Sequence, residues 1–414
     1  MKQILKSKIV RNSIWLVLLQ IVNTIVPMIT IPFVTRKLGI NTYGIFSVCL
    51  NWILYLQVLV EFGFGLTGAR KAAIIDNELD LNKLFNNIIS SRIILFIISL
   101  FIYIIIAFTS NFSIVENVCF LILFIMIFGT TFQLTWLFQG KQDMKFITIV
   151  NCISRLISTI LIFICINSSK DLYLYAFFYS ITMLLSSIIS MIIANKKYHL
   201  SFKFSSMENI KKEIIDAKDI FYSSAMSKIF SNFGITVLGF LETKSIVGIY
   251  SAICKIPYVM TMLFSPISQA IFPYVSIKMK ESKKDGISFL KKISIPVFMF
   301  FLIASIILLI FRNFIIELLF GIDFCYYSII IFPLIFQFLF AIINNFIGVQ
   351  FLVGTNNKKS YSNAFFKSCI INVILNILLG KKLGIYGVAI TALMGEIFLT
   401  IFLVINVIKI SKSN

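Results

Sequence analysis

Histidine is almost missing from this chain: one residue, His199, in 414. That removes the usual imidazole-based catalytic and metal-binding constellations. The seven cysteines (49, 119, 152, 165, 254, 325 and 369) are scattered and form no CxxC pair, so neither a disulfide framework nor a metal site is indicated. There is no GxxxxGK[ST] sequence, and ATP hydrolysis by that route is excluded. Long polar stretches are lacking too. The longest, Asn195 to Lys218, is far below the size of an independent fold. Acidic residues are scarce, 17 Asp and Glu against 37 Lys and Arg.

What is abundant is apolar sequence, 59% of the chain. Runs of about 20 apolar residues, the length a helix needs to cross a bilayer, recur along it. They predict an all-α bundle of about 12 spans at 13–34, 43–66, 88–109, 116–138, 146–167, 172–194, 219–240, 246–273, 293–311, 326–352, 364–380 and 385–408. The first run, Ile14 to Val34, is too long for a signal-peptide core and lacks a small-residue cleavage site. Basic residues sort by side. The two ends and the even-numbered gaps hold most of them, including Arg70, Lys71, Lys83 and Arg92 in the second gap, whereas the odd-numbered gaps hold few. The positive-inside rule puts both termini in the cytoplasm. It also accounts for the net charge of +20 as a topology signal with contact to anionic membrane lipids, and no nucleic acid partner is expected.

The segment 195–218 divides the chain into six spans plus six: a bundle over 1–194, a cytoplasmic linker, and a bundle over 219–414. A weak repeat supports two pseudo-equivalent halves. Gly44-Ile45-Phe46-Ser47 after span one matches Gly248-Ile249-Tyr250-Ser251 after span seven. Leu137 to Gly140 similarly matches Leu352 to Gly354. Halves with an even number of spans face the same way, a transporter architecture with its substrate site between them.

Three segments carry a family resemblance: Arg36-Lys37-Leu38-Gly39 with Tyr43 to Ser47, Glu61 to Arg70, and Trp136 to Lys141 with Met144-Lys145. They resemble the Wzx-type polysaccharide repeat-unit flippases of the multidrug and toxic compound extrusion (MATE)-like exporter superfamily. One departure is that Lys141-Gln142 precedes Asp143, where an acidic residue commonly follows the glycine directly. Gly63-x-Gly65-x-x-Gly68 formally matches a dinucleotide fingerprint. That chemistry needs a strand-turn-helix setting, however, and here the glycines close a transmembrane span. Close helix contact or a loosened helix end is the reading adopted.

Ionisable residues within spans are costly in hydrocarbon, so Glu61, Arg155, Lys228, Lys255 and Glu396 should face a cavity or each other. Helical spacing places Asn151-Arg155-Thr159, Ser224-Lys228-Asn232, Asn23-Pro27, Gln57-Glu61 and Ser368-Asn372-Asn376 on polar stripes. Asn23, Asn151, Asn232 and Asn372 are the candidate cavity-lining amides. Arg155, Lys228 and Lys255 either bind an anionic headgroup or pair structurally. Glu61 and Glu396 either carry a coupling ion or neutralise those cations. Pro27, Pro32, Pro257, Pro266 and Pro273 interrupt spans one and eight and mark candidate kinks.

The resemblance implies a flippase and not an enzyme. It would move an oligosaccharide on undecaprenyl pyrophosphate to the outer leaflet of the bacterial inner membrane by alternating access. It implies no organic cofactor, and it implies a polysaccharide polymerase and chain-length machinery as partners. A multidrug exporter or a peptidoglycan-precursor flippase shares the architecture. A membrane polysaccharide polymerase would be expected to display a substantial loop, and the outer loops here are very short.

Overall fold

In hydrocarbon every backbone N–H and C=O must be satisfied within its own segment, so an apolar run this long folds as helix. A computed structural model describes residues 2–110 and 112–412; among them there are helices and no β-sheet. The chain ends at residues 1, 413 and 414 lie outside the described residues.

Two compact units divide the chain, 1–228 and 229–414. In the first unit, α1 (Lys2–Leu38), α2 (Ile40–Glu61), α3 (Phe64–Ile74), α4 (Glu78–Thr109), α5 (Ile114–Phe132), α6 (Thr135–Gly140), α7 (Met144–Cys165) and α8 (Leu172–Tyr198) follow one another. The unit closes with the start of α9 (Met207–Leu241). The second unit holds the rest of α9, then α10 (Lys244–Ile253), α11 (Lys255–Glu281), α12 (Lys283–Ile310), α13 (Arg312–Phe320) and a 3₁₀ stretch (Ile322–Ile330). It ends with α14 (Ile331–Asn344), a π-helix (Asn345–Val353) and α15 (Lys358–Lys412). Of the expected linker 195–218, residues 195–198 finish α8, 207–218 begin α9, and only 199–206 lie outside a helix. The prolines at 27 and 32 lie inside α1, and those at 266 and 273 inside α11.

Among the described residues, eleven helical stretches are long and apolar enough to cross a membrane. The last, Lys358–Ile410, has 53 residues, about 80 Å of helix against a hydrocarbon core of about 30 Å. Gly384, at φ 55° and ψ −130°, resolves the excess by reversing the chain. Ser368 Oγ then donates to the Gly395 carbonyl at 2.6 Å, and Asn372 Nδ2 to that of Thr391 at 3.4 Å. α15 is a hairpin of two spans, which makes twelve. Only glycine adopts the Gly384 conformation without strain. Gly384→Ala should cost about 1–3 kcal/mol, read as a lower unfolding midpoint in detergent.

Polarity is distributed as lipid demands. Phe108 and Ile114 are more than 80% exposed, whereas Ser90, Ser154 and Ser180 are fully buried. Small hydroxylated residues let membrane helices approach closely. Their hydroxyls are satisfied locally: Ser154 and Ser180 donate to the carbonyls of Val150 and Ala176, one turn back, at 2.8 and 2.7 Å. α9 is fastened to the first unit at its start. Lys71 Nζ bridges Glu213 at 2.7 Å and Asp216 at 2.8 Å, and Phe62 stacks on Phe221 with ring centroids 4.2 Å apart.

Candidate functional site

Two spans of the first unit break at the same place. α2 stops at Glu61; Phe62 turns left-handed at φ 43° and Gly63 follows at φ 80° before α3 restarts. A Cβ on Gly63 would lie 2.7 Å from Ile220 Cγ2, so both the conformation and the space require glycine. Gly68 lies against Ile88 and Trp136, where a Cβ would come within 2.7 and 2.9 Å. The glycine pattern thus serves a loosened helix end and a close helix crossing, as read from the sequence. The second break, at Gln133–Leu134 between α5 and α6, carries no glycine or proline to announce it.

Arg92 on α4 holds this second break together. Its Nη1 donates to the carbonyls of Gln133 at 2.7 Å and Thr130 at 3.3 Å, and Nε has no hydrogen-bond partner. From α8, Ser190 Oγ accepts from the Leu134 N–H at 3.3 Å and Ser186 Oγ from Gln133 Nε2 at 2.9 Å. Arg92 is only 4% exposed. It is therefore not the loop charge expected: it lies within the span 88–109 and is buried there against the broken end of α5.

Between the breaks lies a cavity of about 430 Å³. Glu61, Arg92, Asn23, Asn151, Gln139 and Trp136 are on its walls. Arg92 and Lys228 are the cations acting on Glu61. The structure thus brings together Glu61, Lys228, Asn23 and Asn151 of the residues singled out in the sequence, and adds Arg92, Gln133, Gln139 and Trp136.

Arg155 has a further task. Pro27 has no N–H, so the Asn23 carbonyl four residues earlier loses its helical partner. Arg155 Nη1 donates to that carbonyl at 3.3 Å. The proline was legible in the sequence; that Arg155, 132 positions from Asn23, takes up the freed carbonyl was not.

The other candidates lie in the second unit. Lys255, at the start of α11, is half-buried with its ammonium 5.8 Å from the centre of the Tyr258 ring. Glu396 is buried, and its carboxylate accepts from Asn344 Nδ2 at 2.7 Å, while Thr400 donates to Asn344 Oδ1 at 2.7 Å. The side chain that holds this carboxylate is an amide rather than one of the cations Arg155 and Lys255. Asn372 is buried inside the α15 hairpin, where it accepts from Asn376 Nδ2 at 2.9 Å. Asn232 is half-buried on α9. Asp143, the acidic residue displaced by two positions, ties the start of α7 to the end of α8 through Lys197 at 2.6 Å.

Carboxylate, guanidinium, amides and an indole around one membrane-embedded cavity suit a polar, hydroxylated ligand carrying negative charge. A family model described as "Polysaccharide biosynthesis protein" matches residues 9–280. The chain belongs to this family. A protein of Escherichia coli (strain K12) named "Putative O-antigen transporter" is 28% identical over 402 residues, covering 95% of each chain. Among solved structures, the fold is similar to the lipid II flippase MurJ in an inward closed conformation, with a TM-score of 0.74 at 15% identity. That match covers 96% of this chain and 87% of the other. An inward-facing multidrug resistance MATE family transporter of the MOP superfamily matches with a TM-score of 0.69 at 14% identity, covering 94% and 98%. With its long apolar helices, this member of the polysaccharide biosynthesis family is a multi-pass membrane protein, and its fold is similar to that of the MurJ and MATE structures.

Proposed function

We propose that this protein moves undecaprenyl-pyrophosphate-linked oligosaccharide repeat units, of O-antigen or capsule type, from the cytoplasmic to the outer leaflet of the bacterial inner membrane by alternating access. The observation that carries this reading is the cavity at the paired helix breaks. Moving sugar hydroxyls and a pyrophosphate through hydrocarbon incurs the loss of their hydration. A cavity lined by Asn23, Asn151, Gln139 and Trp136 replaces water for the sugar. Arg92 on the wall and Lys228, close enough to act on Glu61, together outnumber that carboxylate, so an anion finds net positive charge. Outward movement of negative charge is also favoured in an inside-negative cell, by about 2.3 kcal/mol per charge per 100 mV. Both termini are cytoplasmic in this reading; withdrawing Arg92 from the loop charges leaves the bias of the remaining lysines intact.

The test uses cells deleted for the gene, from which lipid-linked oligosaccharides are extracted and assigned to a membrane face. Completed units should accumulate on the cytoplasmic face, and the wild-type gene should clear them. Units reaching the outer face unpolymerised would support a polymerase instead. No change in any lipid-linked glycan would point to drug export. In the same assay Lys228→Ala and Arg155→Ala should abolish flipping while inserting normally; wild-type transport by both would remove them from the path.

A further inference from the structure

The segment joining α8 to α9 is an extended strand strapped lengthwise to α4. The N–H of Ser201 donates to Asn82 Oδ1 at 2.9 Å, that of Lys203 to Asn86 Oδ1 at 3.0 Å, and that of Ser205 to Ser90 Oγ at 3.0 Å. Ser201 Oγ and Ser205 Oγ add bonds to Asn82 and Asn87. The ladder works because two periods coincide: four residues of helix rise about 6 Å, and two residues of strand advance about 6.6 Å. Polar residues every fourth position on α4 therefore meet every second N–H of the strand.

This register fixes the direction of the side chains. Successive strand residues point to opposite faces, so Phe202 and Phe204 share a face that Ser201, Lys203 and Ser205 do not. Both phenylalanines are half exposed, at 50% and 51%, and Met207 at the start of α9 is 70% exposed. Two ring faces held outward by a backbone ladder form an apolar edge.

The depth of that edge can be read from α4. About 20 helical residues cross the hydrocarbon, and twenty counted back from Thr109, the last residue of α4, end at Ser90. The rung at Ser90 thus lies at the hydrocarbon boundary, with the Asn86 and Asn82 rungs about 6 and 12 Å further out. Phe204, between the two inner rungs, falls at the headgroup level, and Phe202 lies farther from the core. Lys203 between them, and Lys196 in the last turn of α8, are exposed and in no ion pair among the described residues.

We propose that the 200–206 strand is a membrane-interface anchor, with Phe204 and then Phe202 inserted at the headgroup boundary and Lys196 and Lys203 meeting lipid phosphates. Aromatic side chains favour this level of a bilayer, and basic residues near an anionic surface are drawn to it. The ladder makes the anchor part of the first unit's framework, so the start of α9 keeps its depth. This assignment needs no cargo and stands apart from the flipping reading.

The experiment places the full-length protein in nanodiscs of phosphatidylcholine and phosphatidylglycerol whose acyl chains are brominated near the headgroup. Phe202→Trp and Phe204→Trp are compared with the parent, whose three tryptophans are subtracted as background. The expected result is strong quenching of the residue-204 signal and weaker quenching at 202. Lys203→Glu should reduce both in phosphatidylglycerol and leave them unchanged in pure phosphatidylcholine. Equal, negligible quenching at both positions would overturn the proposal. So would protection of both tryptophans by a second copy of the chain, seen as a dimer in detergent that Phe204→Ser dissociates.

Discussion

Arg92→Ala should abolish glycan export and, alone among the charge substitutions considered, strongly weaken the fold as well. The guanidinium holds the carbonyls of Thr130 and Gln133 where α5 breaks. Charge-assisted hydrogen bonds are worth about 1.5–3 kcal/mol each, and a buried carbonyl left without a partner adds its own desolvation penalty. A loss of about 3 kcal/mol is therefore expected, measured as the unfolding midpoint of the purified protein. The same change strips Glu61 of one of its two cations. Combining Arg92→Ala with Glu61→Gln should recover part of the stability but none of the transport. Arg92→Lys keeps the charge and loses the fork, so it should fall between. An Arg92→Ala protein with the parent's midpoint would show that the α5 break is held by Ser186 and Ser190 alone.

Gly129→Leu should be comparably damaging for a reason that involves no charge. Gly129 on α5 lies directly against the backbone of α8: a Cβ there would sit 2.6 Å from the Met183 carbonyl carbon and 2.8 Å from the Leu184 nitrogen. A side-chain neighbour could rotate away; a helix backbone cannot, so the two helices must part. Overpacking of this kind costs about 1–3 kcal/mol and sometimes more, and leucine at this position should reach the upper end. Gly65 is the matched control. It lines the cavity, but a Cβ there meets nothing within 4 Å. Gly65→Ala should keep the parent's midpoint while slowing transport by narrowing the cavity. If Gly129→Leu unfolds no earlier than Gly65→Ala, close α5–α8 packing is not a source of stability.

The number of spans and most of their positions were legible because hydrocarbon imposes one rule, a long apolar run, on every crossing. The break at Glu61–Gly63 was legible because glycine is needed for its φ values. The break at Gln133–Leu134 was not, since its cause lies in Arg92, Ser186 and Ser190, which the chain brings there only on folding. Arg92, four residues into the run 88–109, passes for a loop charge because the carbonyls of Thr130 and Gln133 that accept it are about 40 positions away and meet it only on folding. A polar stripe does not declare its partner. Asn23 and Asn151 face the cavity, while Ser368 and Asn372 are consumed by the returning arm of the α15 hairpin and Asn376 donates to Asn372. The π-helix over Asn345–Val353 had no sequence signal at all, because its distortion follows from packing rather than from local propensity.

The fastening of α9 to the first unit bears on how the protein is made. Lys71 and Glu213 are separated by 142 residues. At roughly 5–20 residues per second of synthesis, Lys71 waits on the order of ten seconds for its partners to leave the ribosome. The first unit is thus incomplete when its six preceding spans are already in the bilayer, and Lys71 with the glycine-lined end of α2 stays uncovered until the seventh emerges. A chain stalled before residue 207 would present that uncovered surface to membrane proteases, and quality control could tell an arrested chain from a finished one by it.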